Sequence, residues 1–279
     1  MELRSATRSF VKDSPVATAT HLLTEKEALA RPEPEAVVVR FAGDSGDGMQ
    51  LTGGQFTLST ALAGNDLATF PDFPAEIRAP QGTTFGVSAF QINFGSCSIE
   101  TAGDQPDVLI AMNPAALKVN ADQLRDGGLI IADEGEFTPR NLTKAGYESN
   151  PLEDGSLARW QLVHFNISQL TLDAVKPFGL GNKEALRCKN MWTLGLALWM
   201  FDRDREPIVQ WLRTKFAKAP DLVLGLEGDD AIFLEAGEMV QQRAGGRDRI
   251  GAEEHLQPGE LAAGDEAERQ RLGAGDGSI

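Results

Sequence analysis

Val37-Val38-Val39-Arg40-Phe41-Ala42, followed at once by Gly43-Asp44-Ser45-Gly46-Asp47-Gly48 and then by Met49-Gln50-Leu51-Thr52-Gly53-Gly54, reads as a strand, a turn and the start of a helix. The opening run is almost continuously apolar, the pattern of a strand covered on both faces as in a parallel sheet. Helical residues extend from about 49 to 63, with Gly64 placed to end them in a left-handed conformation. A strand feeding a helix through a glycine-rich turn is the opening unit of an α/β domain.

The neighbouring segments repeat the theme. Residues 86–96 predict a long strand, with Phe90, Ile92 and Phe94 on one face and Ala89, Gln91 and Asn93 on a wetter one. A strand over 107–112 leads into Asn113-Pro114, an N-cap and first helical residue, then a helix to about 125 and a strand over 129–133. A strand over 160–167 precedes a helix capped by Ser168. Two helices follow, over 183–201 and 207–217; in the second, Ile208, Trp211, Leu212 and Phe216 share one face. The fold class is α/β: a layered α/β/α domain with a mostly parallel sheet, followed by a disordered acidic C-terminal tail.

Composition divides the 279 residues into three zones: a polar lead-in (1–35), the α/β domain (36–220) and the tail (221–279). The tail has 14 Asp+Glu, 5 Arg, 11 Gly and a single aromatic, Phe233, so it offers little apolar surface to offset its ordering entropy. A short helix over 231–243 is compatible with its pattern. The net charge of −15 argues against nucleic acid and anionic membranes as partners. The longest apolar run, 194–201, is far short of the ~20 residues that cross a bilayer. The first 30 residues lack the apolar centre of a signal peptide, so a cytoplasmic location is expected. Two cysteines, Cys97 and Cys188, exclude both a disulfide framework and an iron–sulfur cluster held by this chain alone.

Glycines between a strand and a helix let backbone amides approach an anion at the positive end of the helix, so a phosphate or pyrophosphate is the natural guest. The same glycines also serve close packing of helix on sheet, and both readings stay open. Gly43, Gly46 and Gly48 give Gly-x-x-Gly-x-Gly, the reverse of a dinucleotide fingerprint. Met49-Gln50 stand where a P-loop needs Lys-Ser/Thr. Gly46-Asp47-Gly48 imitates the opening of a thiamine diphosphate motif, but the paired Asn that should close it are missing.

The strand and its glycine loop resemble the gamma-type domain of the 2-oxoacid:ferredoxin oxidoreductases. Phe73-Pro74-Ala75-Glu76-Ile77-Arg78, continuing through Ala79-Pro80-Gln81-Gly82-Thr83-Thr84-Phe85-Gly86-Val87-Ser88, is similar to the subclass whose gamma domain is fused to the front of the alpha subunit, typified by 2-oxoglutarate:ferredoxin oxidoreductase. Two further blocks agree: the strand–helix–strand over 107–133, and Asn182-Lys183-Glu184 with Arg187-Cys188-Lys189-Asn190-Met191. Ser45 and Asp47 depart from the stand-alone loop, which has Gly and Gln there. The likeness stops near Pro220, as in a truncated or frame-shifted chain.

The resemblance implies oxidative decarboxylation of a 2-oxoacid on thiamine diphosphate, with electrons passing through a [4Fe-4S] cluster to ferredoxin and the acyl group to coenzyme A. It implies a beta subunit carrying thiamine diphosphate and the cluster, an alpha domain, and ferredoxin as an indirect partner. None of these cofactors is expected on this chain alone, and the isolated chain is expected to be inactive. Expected binding residues are Gly43, Gly46, Gly48, Thr52 and Arg78; no catalytic residue and no metal ligand is assigned. Arg78, between Pro74 and Pro80, suits a bidentate clamp on phosphate or carboxylate as well as it suits an ordinary ion pair. Glu76 reads better as an ion-pair partner than as a base, and Thr83 and Thr84 better as turn caps than as anion donors. Cys97, Cys188 and the tryptophans read as apolar packing, and His21, His164 and His255 are too scattered for a metal site. A non-catalytic binding or assembly module with the same fold is the alternative.

Overall fold

A computed structural model of the chain describes residues 35–76 and 79–215. The lead-in up to residue 34, the tail with its expected helix, Arg78, Phe216, His21 and His255 lie outside the described residues.

Strand β1 (Ala36–Asp44) is followed by helix α1 (Met49–Leu62), β2 (Asp66–Asp72), β3 (Val87–Gly95) and β4 (Val108–Ala111). Then come α2 (Pro114–Asn120), β5 (Leu129–Asp133), α3 (Pro139–Ala145), β6 (Gln161–Phe165), α4 (Ile167–Val175), α5 (Asn182–Ala185), α6 (Lys189–Met200) and α7 (Glu206–Lys215). The six strands form one sheet in the order β2-β3-β1-β4-β5-β6. β1 pairs in parallel with β4, with Val39 opposite Val108, and β4–β5–β6 continue in parallel. β3 runs antiparallel to both β1 and β2, so it alone opposes the rest. The layered α/β architecture and mostly parallel sheet expected from the sequence are therefore present.

The two faces of the sheet bury different cores. On one, Val37, Val39 and Phe41 of β1 meet α1, α4, α6 and α7. There the Phe56 ring lies 5.7 Å from Phe41 and 5.5 Å from Phe94, in edge contacts that aromatic pairs favour. Gly53 permits this approach, since a Cβ on it would fall 2.1 Å from the Phe90 ring. On the other face Ala42, Leu109, Ile130 and Trp160 meet α2 and α3. Arg40 of β1 is buried at 3% exposure. Its guanidinium donates to Asn120 Oδ1 (2.6 Å), Gln91 Oε1 (3.1 Å) and the Asp72 carboxylate.

Several expectations are corrected. The second face of β3 is not wet: Gln91 is buried and donates to the carbonyls of Ala102 and Gly103, in a loop that covers it. The helix expected over 183–201 is broken into α5, a 3-10 turn over Leu186–Cys188 and α6. Helix α2 stops at Asn120 rather than near 125, in a 3-10 turn. Asn166, not Ser168, caps α4 by accepting from the Gln169 amide (2.9 Å), while the Ser168 hydroxyl donates to Asp133 (3.0 Å). Strand β2 and helix α3 were not anticipated. Among the described residues no helix is long and apolar enough to cross a membrane.

Candidate functional site

Helices α1 and α2 leave the neighbouring strands β1 and β4 toward opposite faces of the sheet, as the two separate cores show. Where connections diverge in this way, a crevice opens at the carboxyl ends of the strands. Here it is a cleft of about 710 Å³. Asp44, Gly46 and Asp47 of the β1–α1 loop form one wall, with Gln81 and Gly82 beside them; Asn113 and Pro114 come from the end of β4.

The glycine loop is braced from within. The Asp47 carboxylate accepts from the Asp44 amide (2.9 Å), the Asp47 amide donates to the Asp44 carbonyl (2.9 Å), and the Ser45 amide donates to the Gly86 carbonyl (3.1 Å). Asp44 in turn accepts from the Gly82 amide (2.8 Å). Three loop amides are thus already bonded, and two carboxylates stand where an anion cradle was expected. Burial raises both: Asp44 above the usual carboxylate range, and Asp47 up to about 6 despite the Asp44 amide and the charge of Lys189. Gly48 is left-handed (φ 78°), and a Cβ there would meet Asn190 Nδ2 at 2.6 Å. Its absent side chain serves the packing of loop against α6.

The opposite wall is basic. Arg140 and Lys144 of α3, Lys183 of α5, Arg187 of the 3-10 turn before α6, and Lys189 at the start of α6 face Asp44, Asp47 and Glu136, five positive groups against three negative in a chain of net charge −15. Lys189 is the hub. Its ammonium lies 3.4 Å from Asp133, which is fully buried, and 2.6 Å from Glu136. Burial works against that charge, but the carboxylates of Asp133 and Glu136 outweigh it and hold the ammonium above its ordinary range. Asp133 also accepts from Ser168 and the Gly135 amide, and Glu136 from Asn141 (3.1 Å). Lys144 donates to the Gln81 carbonyl (3.0 Å). Arg140, Lys183 and Arg187 form no ion pair among the described residues and carry exposed side chains. Such a wall suits a ligand with several phosphates.

The structure separates the residues singled out from sequence. Gly46 lines the cleft, with open space where a side chain would go. Gly43 is the next-to-last residue of β1, its Cβ position 3.0 Å from the Asp47 carboxylate. Thr52 is corrected: it is fully buried between α1 and α6, donating to the Asn190 carbonyl (3.2 Å), and does not reach the cleft. Cys188 is buried beside Lys189, whereas Cys97 lies near Glu35 at the other end of β1. The basic wall was missed. Its sequence signal was Arg140 and Lys144 one helical turn apart, together with Lys183, Arg187 and Lys189 inside a block already singled out.

Residues 38–224 match the family pyruvate ferredoxin/flavodoxin oxidoreductase, and the chain belongs to it. Over 192 residues it is 55% identical to the 2-oxoglutarate oxidoreductase subunit KorA of Mycobacterium tuberculosis, covering 69% of this chain and 29% of that subunit. Over 102 residues it is 31% identical to the ketoisovalerate oxidoreductase subunit VorA of Methanothermobacter thermautotrophicus, covering 37% of this chain and 20% of that one. Its fold is similar to that of the 2-oxoglutarate:ferredoxin oxidoreductase from Magnetococcus marinus, solved with 2-oxoglutarate, coenzyme A and succinyl-CoA bound; the TM-score is 0.57 at 23% identity, over 78% of this chain and 32% of that chain. The chain spans less than a third of the length of the curated relatives it matches.

Proposed function

We propose that residues 36–220 are the gamma-type domain of a 2-oxoglutarate:ferredoxin oxidoreductase, and that the cleft holds the phosphates of coenzyme A. The observation that carries this reading is the basic wall at the β1–β4 crevice, a local excess of positive charge in an acidic chain. The 55% identity to a 2-oxoglutarate oxidoreductase subunit supports the choice of 2-oxoacid. This chain's part is to bind and orient: Arg140, Lys144, Lys183 and Arg187 take the phosphates, and Lys189, tied to Asp133 and Glu136, fixes the start of α6 directly after the turn that carries Arg187.

A [4Fe-4S] cluster does not fit the residues here, and thiamine diphosphate is assigned elsewhere for want of the paired Asn that would close its motif. The two cysteines sit at opposite ends of β1, and among the described residues no group of three His, Cys, Asp or Glu could hold a metal. Both cofactors are assigned to a beta subunit, with an alpha domain and, indirectly, ferredoxin as the other partners. A second reading, an assembly module, is favoured by Phe70, Phe73 and Phe85, which are 53–68% exposed around the edge strand β2.

Calorimetric titration of the chain with coenzyme A tests the assignment. Arg140→Ala with Lys144→Ala is expected to weaken binding at least about tenfold, since each removes a charge-assisted contact of roughly 1.5–3 kcal/mol. Absence of binding, or binding indifferent to both changes, leaves the assembly module.

A further inference from the structure

The sheet face that carries Ala42 and Ala89 is covered unevenly. Helix α2 packs there against β1, β3, β4 and the turn over Thr84–Gly86, and the edge strand β2 lies beyond. Register puts Phe70 of β2 opposite Gln91, and Gln91 opposite Arg40, so Phe70 points to this same face, yet it is 53% exposed. Phe73 (68%) and Phe85 (61%) stand at the end of the strand, where the Glu76 amide donates to the Phe85 carbonyl (3.3 Å). Among the described residues these are the three phenylalanines left exposed. Together they show solvent on the order of 350 Å² of apolar surface, the scale at which a patch marks an interaction site.

The rim of the patch is acidic: Asp66, Glu76, Glu100 and Asp104 are exposed around it. The loop bearing the last two is laid against β3 by bonds from Asn93 to the Thr101 carbonyl (2.9 Å) and from Gln91 to the Ala102 carbonyl (2.8 Å). Asp66 holds the same loop by accepting from the Ile99 amide (2.9 Å). Cations at the margins are engaged: Arg40 with Asp72, Arg125 with Asp107 (2.8 Å) and Lys144 with the Gln81 carbonyl. A second copy would set acid against acid. Nor does the edge invite another strand, since the Leu67 amide is taken by Asp66 (3.0 Å) and Pro71 has none. The missing element is a helix, which is what covers a sheet in a layered α/β fold.

We propose that this β2–β3 face docks a helix of a partner protein, apolar on the side that meets Phe70, Phe73 and Phe85 and flanked by Lys and Arg that face Asp66, Glu76, Glu100 and Asp104. The rings supply the affinity, and the acids orient the helix and reject acidic partners. The surface is separate from the cleft and does not depend on the phosphate reading.

Synthetic helical peptides are titrated into the full chain at about 0.15 M salt, where bare surface charge is largely screened. One is built of Leu and Lys with an apolar stripe, one of Leu and Glu with the same stripe, and one has the Leu–Lys composition scrambled so that no stripe forms. The Leu–Lys helix should bind at least about tenfold more tightly than the other two, and Phe70→Ser or Phe85→Ser should each weaken it about tenfold. Glu100→Lys with Asp104→Lys should transfer the preference to the Leu–Glu helix. The substituted side chains are exposed, so each variant should keep the thermal midpoint of the wild type and its response to coenzyme A. Equal binding of the scrambled or the Leu–Glu peptide, indifference to both serine variants, or no binding below about 100 µM overturns the docking surface. So does a concentration-dependent dimer in sedimentation that Phe70→Ser abolishes, which assigns the face to a second copy. None of these outcomes touches the cleft, whose reading is decided by coenzyme A alone.

Discussion

The two walls of the cleft are built on opposite principles. The β1–α1 wall is backbone and carboxylate, closed by its own hydrogen bonds among Asp44, Ser45, Asp47, Gly82 and Gly86. The α3–α6 wall is made of long cations, all but Lys189 on exposed side chains. A glycine-rich turn after a first strand is usually where an anion would be sought, yet here that turn is a braced support and the charge for recognition comes from residues about a hundred positions later. A loop's composition says what its backbone can do, while its hydrogen bonds say whether that capacity is already used.

The largest expected effect separates the hub of the basic wall from its outer residues. Lys189→Met leaves Asp133 buried without its ammonium and should destabilise the chain by about 3 kcal/mol. That lowers the thermal midpoint by roughly 6–12 °C for a domain of this size. Lys189→Met combined with Asp133→Asn should recover much of the loss, and a single-variant shift under about 2 °C would show that the hub carries no such burden.

On the other wall the sign reverses. Asp47 is held at a pKa of about 6, above its unfolded value of 3.8. The folded state therefore binds the extra proton, and the stability present below pH ~4 is lost as pH rises through about 6. At about 1.4 kcal/mol per pKa unit, this costs on the order of 2–3 kcal/mol at neutral pH. Asp47→Asn should raise the midpoint by roughly 4–12 °C at pH 7.5 and by less than about 1 °C at pH 4. An equal shift at both pH values would assign the effect to packing rather than to charge.

The smallest stability effect belongs to Gly46, where an added Cβ meets nothing within 4 Å. Gly46→Val should leave the midpoint within about 1 °C of wild type and weaken coenzyme A binding severalfold, because the new side chain enters the cleft. A large drop in the midpoint would mean that this residue, like Gly48, serves packing.

Legibility in the sequence followed burial. β1, β3, β4 and β5 announce themselves because covered strands need apolar runs, and Asn113-Pro114 because a helix start needs that chemistry. β2 escaped because Asp66-Leu67-Ala68-Thr69-Phe70-Pro71-Asp72 is an exposed edge, with acids at both ends and a proline that only an edge tolerates. α3 escaped because seven residues with only Ala145 buried leave no periodicity to read. The site was half legible: its floor lies in one contiguous motif, but its cations come from α3, α5, α6 and the turn between the last two, which only the fold brings together. Thr52 misled because a hydroxyl near a glycine loop suggests a ligand, and nothing local reveals that Asn190 takes it.

Arg40 bears on how the chain assembles. Its three partners lie 32, 51 and 80 residues away along the chain, in β2, in β3 and at the end of α2. A guanidinium at the centre of the sheet is therefore tolerable only once all three have arrived. Any collapsed state holding β1 against part of its neighbours leaves a buried, unanswered charge, which is worse than leaving β1 in water. The residue acts as a checkpoint: it contributes little net stability to the finished fold while penalising half-finished ones. The edge strand, exposed along most of its length, is thereby tied into a single cooperative unit with the middle of the sheet.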